Sequence, residues 1–167
     1  MTINWYRKSP IRDPTLHGMA QILILVGTES GNAQMVADLL QEELGALAHD
    51  VTLLDGGDPR AADLAGRQVV LICCSTHGEG DLPANIRPLA DAISREGLDL
   101  SHLRYGVIAL GDQTYRETFC NGGKTMDRIF AERGATRVGE RLEIDACTQP
   151  LPDEDALDWA KEWVALL

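Results

Sequence analysis

The sequence predicts an α/β fold, a parallel sheet with helices packed on both faces, from three observations. The apolar runs at residues 22–26, 68–74 and 105–110 are continuous rather than alternating, as strands buried on both faces are. Each run leads into a polar loop and then into apolar residues at helical spacing. At 167 residues the chain can bury one full core, and no segment approaches the roughly 18 apolar residues of a membrane span. In such a fold crossovers are right-handed, and ligands sit outside the carboxyl ends of the strands, near the switch in strand order.

In chain order, residues 1–18 have two prolines and no periodicity. They are expected to form an extended arm, either non-native or packed on the body through Trp5 and Tyr6, with residues 19–167 as a single domain. The first strand, residues 22–26, stops at Gly27, and Ala33, Met35, Val36, Ala37, Leu39 and Leu40 mark the helix beyond it. A short strand at 51–54 ends at the turn Asp55-Gly56-Gly57. The strand 68–74 is followed by the polar loop 75–85 and a helix over 86–93 with Leu89, Ala90 and Ile93 on one face. The strand 105–110 leads through the loop 111–123 to a helix carrying Met126, Ile129 and Phe130 that stops near Gly134. Residues 136–138 and 142–144 are weaker strands, and a helix from about 153 to 167 presents Leu157, Ala160, Trp163, Val164 and Leu167 on one face.

Composition narrows the function. The net charge of −11, from 26 acids and 15 bases, argues against nucleic acid or an anionic membrane as partner and favours a basic protein. The arm holds Arg7, Lys8 and Arg12 against Asp13, so the acidity belongs to the body, with 12 bases against 25 acids. Cys73, Cys74, Cys120 and Cys147 have no zinc-like spacing. They read as buried small apolar residues of a soluble cytoplasmic protein, and no metal is expected.

Three loops follow strands and should converge on one site. In the first, residues 22–33 (ILILVGTESGNA), a strand turns through Thr28, Glu29, Ser30, Gly31 and Asn32 into a helix, whose unpaired N–H groups and dipole suit a phosphate. The loop lacks both the lysine of a nucleotide-triphosphate loop and the GxGxxG of a dinucleotide loop, so a monophosphate fits better. Ser30 or Asn32 acting only as a helix cap is the alternative. The second loop, STHGEGDLPAN, sets two glycines beside His77 as a floor for a flat ring, and the third, residues 110–120, offers Tyr115 as a second wall. Together they point to a flat heteroaromatic nucleotide.

In their order and residue content the three loops resemble those of the flavodoxin-like, FMN-binding family, including the FMN domains of diflavin reductases. The nearest likeness is to the short MioC-type flavodoxins, which share the STHG and YxTFC forms and an acidic, proline-bearing run into a Trp-rich last helix. The resemblance covers residues 20–167 and implies a three-layer flavodoxin-like sandwich with a five-stranded parallel sheet in the order 2-1-3-4-5. It assigns Thr28, Glu29, Ser30, Gly31, Asn32 and Ala33 to the FMN phosphate, and Ser75, Thr76, His77 and Gly78 to one side of the ring. Leu110, Gly111, Asp112, Tyr115, Phe119 and Cys120 would form the other side, with Asp145 near the cofactor. It further implies a one-electron carrier between an NAD(P)H-dependent flavodoxin or ferredoxin reductase and an acceptor redox enzyme, with no catalytic acid, base or nucleophile of its own. A quinone or azo reductase on the same fold and a non-redox interaction module are the alternatives. A basic partner would meet an acidic rim of Glu79, Asp81, Asp112, Glu117, Asp153, Glu154 and Asp155. Acids near the ring would lower the potential of its second reduction step, and His77 stands where the reductase domains usually carry tyrosine.

Overall fold

Three strands form the centre of the sheet because their apolar runs cannot face water on either side. In β1 (Gln21–Gly27), β3 (Val69–Cys74) and β4 (Arg104–Gly111) every residue is buried except the first of β1 and the first and last of β4. The computed structural model describes residues 18–167, so the arm expected at 1–18 lies outside the described residues apart from Gly18. β2 (Asp50–Asp55) flanks β1, and the strands run parallel in the order β2-β1-β3-β4-β5, the order the resemblance implies. Register places Val26 beside Cys73 and Cys73 beside Ile108, so the loops after β1, β3 and β4 leave one edge at one level.

The fifth position differs from a single continuous strand. β5 (Thr136–Arg137) and β6 (Leu142–Asp145) both pair parallel with β4, at its beginning and its end. Between them the chain leaves the sheet, with Gly139 at φ 70, and Arg137 and Arg141 both reach Oδ2 of Asp127 at 2.5 Å. Asp127 is 5% exposed and also accepts the Tyr105 hydroxyl at 2.7 Å. A buried carboxylate is tolerated because its charge is paired and hydrogen-bonded, and these bonds pin the interruption to the adjoining helix.

Helices cover both faces. On one, α1 (Asn32–Ala46) and α5 (Pro152–Val164) bury Val36, Leu40, Leu44, Ala160 and Trp163 against Ile22, Ile24, Leu71 and Ile108. On the other, α3 (Arg87–Glu96) and α4 (Asn121–Glu132) bury Leu89, Ile93, Met126 and Phe130 against Leu23, Leu25, Ile72 and Val107. α3 runs three residues past its expected end and stops at Gly97 in the left-handed region. α5 begins one residue earlier and ends three earlier than expected, and Ala156 joins its buried face while Leu157 and Leu167 are half-buried. A four-residue helix, α2 (Pro59–Ala62), has no counterpart in the sequence pattern. Asp58 caps it by accepting the Arg60 N–H, and proline opens it.

Two glycines in helices make opposite predictions. A Cβ on Gly123 of α4 would collide with Ala109 of β4, so Gly123→Ala should cost about 1–3 kcal/mol by overpacking. A Cβ on Gly45 of α1 meets nothing, so Gly45→Ala should add up to about 1 kcal/mol from helix propensity. Thermal unfolding of the two variants checks both signs.

Candidate functional site

The loops after β1, β3 and β4 enclose a cavity of about 600 Å³, within the range of small-molecule sites. Its lining includes Glu29, Ser30, Asn32, Ser75, Thr76, His77, Gly78, Leu110, Gly111, Asp112 and Tyr115. Thr28, Gly31, Ala33, Phe119, Cys120 and Asp145 are outside this lining; Ala33, Cys120 and Asp145 are buried, and Thr28, Gly31 and Phe119 are half-buried.

At the first loop, Gly31 precedes α1 at φ 91 and, among the described residues, no side chain caps the helix. Two of the loop's N–H groups are spent internally: Thr28 donates to Oδ1 of Asn85 at 2.9 Å, and Gly31 to Oγ1 of Thr28 at 2.9 Å. Among the described residues the N–H groups of Glu29, Ser30, Asn32 and Ala33 have no hydrogen-bond partner. Neither Ser30 nor Asn32 serves as a cap, so the bare cap reading of this loop does not hold. Glu29 turns aside to accept the Ala84 N–H at 2.6 Å.

The second loop closes on itself. The His77 carbonyl accepts from Gly80 and Asp81 and its N–H donates to Asp81 O at 2.9 Å, a tight turn with positive φ at Gly78 and Gly80. Within it the Gly78–Glu79 peptide has neither its carbonyl nor its N–H hydrogen-bonded among the described residues. The Ser75 hydroxyl donates to Gly27 O at 3.1 Å, and the Thr76 hydroxyl donates to Leu110 O and accepts from the Gly122 N–H. These hydroxyls tie the three strand ends together.

The third wall depends on Asp145. This residue, 2% exposed, accepts the N–H groups of Gln113 at 3.0 Å and Cys147 at 3.1 Å and the Thr148 hydroxyl at 2.9 Å. The Gln113 bond foremost holds its carboxyl below the ordinary range. Asp112 accepts the Cys147 thiol at 2.9 Å and the Thr114 N–H at 2.8 Å, which hold its carboxyl low in the same way. Cys147 is therefore exposed, not the buried small residue expected, because its sulfur joins two surface loops. The other cysteines are buried, and burial pushes the Cys120 and Cys74 thiols up to about 12, leaving them unreactive.

Several positions of the site carry no sequence signal of their own. Met35, Thr118, Ile144, Ala146, Gln149, Pro150 and Pro152 complete the lining. The helical period places Met35 on the buried face, but it is 52% exposed, in the first turn of α1 beside the cavity. Pro150 and Pro152 follow a strand end, a position that could have signalled a further loop at the site.

An uncapped helix end with four unspent N–H groups suits an anion, and a cavity with flat side chains at its mouth suits a ring. Among the described residues no lysine or arginine lines the cavity, so backbone and hydroxyl groups alone meet the anion, which favours one phosphate over several. Fold and site together define a mononucleotide-binding α/β protein with its site at the carboxyl edge of the sheet.

Comparison with known proteins is more specific. A family model described as Flavodoxin matches residues 24–159. Flavodoxin YqcA of Escherichia coli (strain K12) is 44% identical over 151 residues, covering 89% of this chain and 99% of that protein. Protein MioC of the same strain is 34% identical over 149 residues, covering 89% and 99%. The sulfite reductase [NADPH] flavoprotein alpha-component of Vibrio parahaemolyticus is 38% identical over 146 residues, covering 85% of this chain and 23% of that protein. Among solved structures, a cysteine-to-alanine mutant of flavodoxin from Pseudomonas aeruginosa aligns with a TM-score of 0.81 at 33% identity, covering 87% of this chain and 98% of that one. The chain belongs to the flavodoxin family of FMN-binding electron carriers.

A carboxyl held low by hydrogen bonds in the folded state stabilises that state above its unfolded value of about 3.9 and loses this effect as pH falls through the lowered folded value. Asp145→Asn should therefore melt below the wild type near neutral pH. The gap should narrow as pH falls below the unfolded value and close below the lowered folded one. Melting curves of the two proteins at several pH values measure this directly.

Proposed function

We propose that this protein passes single electrons from an NAD(P)H-dependent flavodoxin or ferredoxin reductase to an acceptor redox enzyme in the cytoplasm. The observation that carries the reading is the uncapped end of α1 opening on a ring-sized cavity bordered by His77 and Tyr115. In this reading the N–H groups of Glu29, Ser30, Asn32 and Ala33 and the hydroxyls of Thr28 and Ser30 hold the FMN phosphate. His77, Gly78, Leu110, Gly111, Asp112 and Tyr115 border the ring. Ser75 and Thr76 border it too, and Gly31, Phe119, Cys120 and Asp145 hold these walls in place. FMN supplies the redox chemistry, accepting and releasing electrons one at a time.

The chain's own contribution is to position and to tune. The Gly78–Glu79 peptide has both polar groups free among the described residues, so its carbonyl can accept a hydrogen bond from a ring N–H, and glycine at Gly78 tolerates the required backbone angle. Among the described residues no ion pair engages Glu79, Asp81, Asp112, Glu117, Asp153, Glu154 or Asp155. These uncompensated charges support an acidic rim that steers a basic partner, and Asp112 at the cavity disfavours added negative charge on the ring. Among the described residues no helix is long and apolar enough to cross a membrane.

The test is anaerobic. NADH or NADPH alone should leave the FMN-loaded protein oxidised, and a catalytic amount of a flavodoxin reductase should bleach it. Bleaching by the pyridine nucleotide alone would favour a quinone or azo reductase instead. A potentiometric titration should resolve two one-electron steps. An imidazolium beside the ring favours negative charge there, so the second potential should vary more steeply with pH in the wild type than in His77→Tyr. Equal slopes would remove that role for His77.

A further inference from the structure

Asn85 is the last residue of the second loop and lies outside the cavity lining, yet its side chain makes three hydrogen bonds to the other strand ends. Its Oδ1 accepts the Thr28 N–H at 2.9 Å. Its Nδ2 donates to the Val26 carbonyl at 3.0 Å and to Oδ1 of Asp55 at 3.0 Å. One amide thus joins the last residues of β1, the start of the first loop and the end of β2. The neighbouring Ala84 N–H holds the Glu29 carboxylate at 2.6 Å.

We infer that Asn85 is a positioning residue for the phosphate end of the cofactor, a role that rests on the FMN reading above. With Thr28 and Gly31 engaged inside the protein, the loop is set before any ligand arrives, and the four free N–H groups need no rearrangement to receive an anion. The bond from Asn85 also occupies an Asp55 oxygen, and the Ala84 bond keeps Glu29 on the second loop, so two carboxylates are held by the second loop beside an anion site. Among the described residues no hydrogen bond of the Asn85 side chain reaches His77, Tyr115 or residues 110–112, which border the ring side of the cavity. Asn85 should accordingly govern affinity for the phosphate and leave affinity for the ring alone.

Riboflavin, which has the ring without the phosphate, separates the two. Full-length protein stripped of flavin is titrated with FMN and with riboflavin, followed by flavin fluorescence, for the wild type, Asn85→Ala and Asp55→Ala. Asn85→Ala should weaken FMN binding about tenfold or more, the cost of unmaking hydrogen bonds that serve a charged group, while riboflavin binding stays within about twofold. Asp55→Ala removes one anchor of the amide at an exposed position. It should weaken FMN less and riboflavin not at all, and it carries the test if Asn85→Ala does not fold. Equal losses for both flavins, or no loss for FMN, would overturn the inference while the wild type still binds FMN. A wild type that binds neither flavin would overturn the FMN reading and this inference with it.

Discussion

The structure depends on one constraint: β1, β3 and β4 are apolar on both faces and must be covered on both. Ile22, Ile24 and Val26 point into one core and Leu23 and Leu25 into the other, and the same alternation divides Val69 to Cys74. Parallel pairing with helical crossovers meets that requirement, and it brings every strand-to-helix loop to one edge. The site is a consequence of this burial. Loops that are distant in sequence meet because their strands are held in register, with Gly27 level with Cys74 and Cys74 level with Ala109.

At that edge, backbone groups are distributed between structure and ligand. The side chains of Asn85 and Asp145 act as two hubs, the first organising residues 26–28 and the second residues 113 and 147–148. Each is short, polar and satisfied by several partners, so each fixes a loop without a covalent link. What they leave unbonded among the described residues is informative: the first-turn N–H groups of α1 and the Gly78–Glu79 peptide. A network in which Arg137 and Arg141 reach buried Asp127 and Tyr105 anchors the broken fifth strand, and β6 leads from it directly to Asp145.

Much of this is legible in the residues. Continuous apolar runs mark the central strands to within a residue of their ends, and the three polar loops mark the edge of the sheet where the cavity lies. The differences have physical causes. Residue type puts Cys147 in the core, but neighbouring carboxylate and hydroxyl groups hold its thiol at the surface. Met35 fits the helical period of α1 and yet borders the cavity, because periodicity does not tell a core from a pocket. α2 escapes a periodic signal because four residues are too few to show one, although Asp58-Pro59 carries its start. Asn85 looks like the tail of a loop; its weight comes from partners 30 to 59 residues away.

By itself the sequence determined the fold class, the strand-loop-helix units and the chemistry available at each loop. These are local matters: hydrophobic period, turn residues and the absence of a lysine in the first loop all act within about ten neighbours. The tertiary structure alone decided which of those groups are free to bind. Whether an N–H, a carboxylate or a thiol is available depends on whether a distant side chain already satisfies it, and packing sets that balance rather than spacing along the chain.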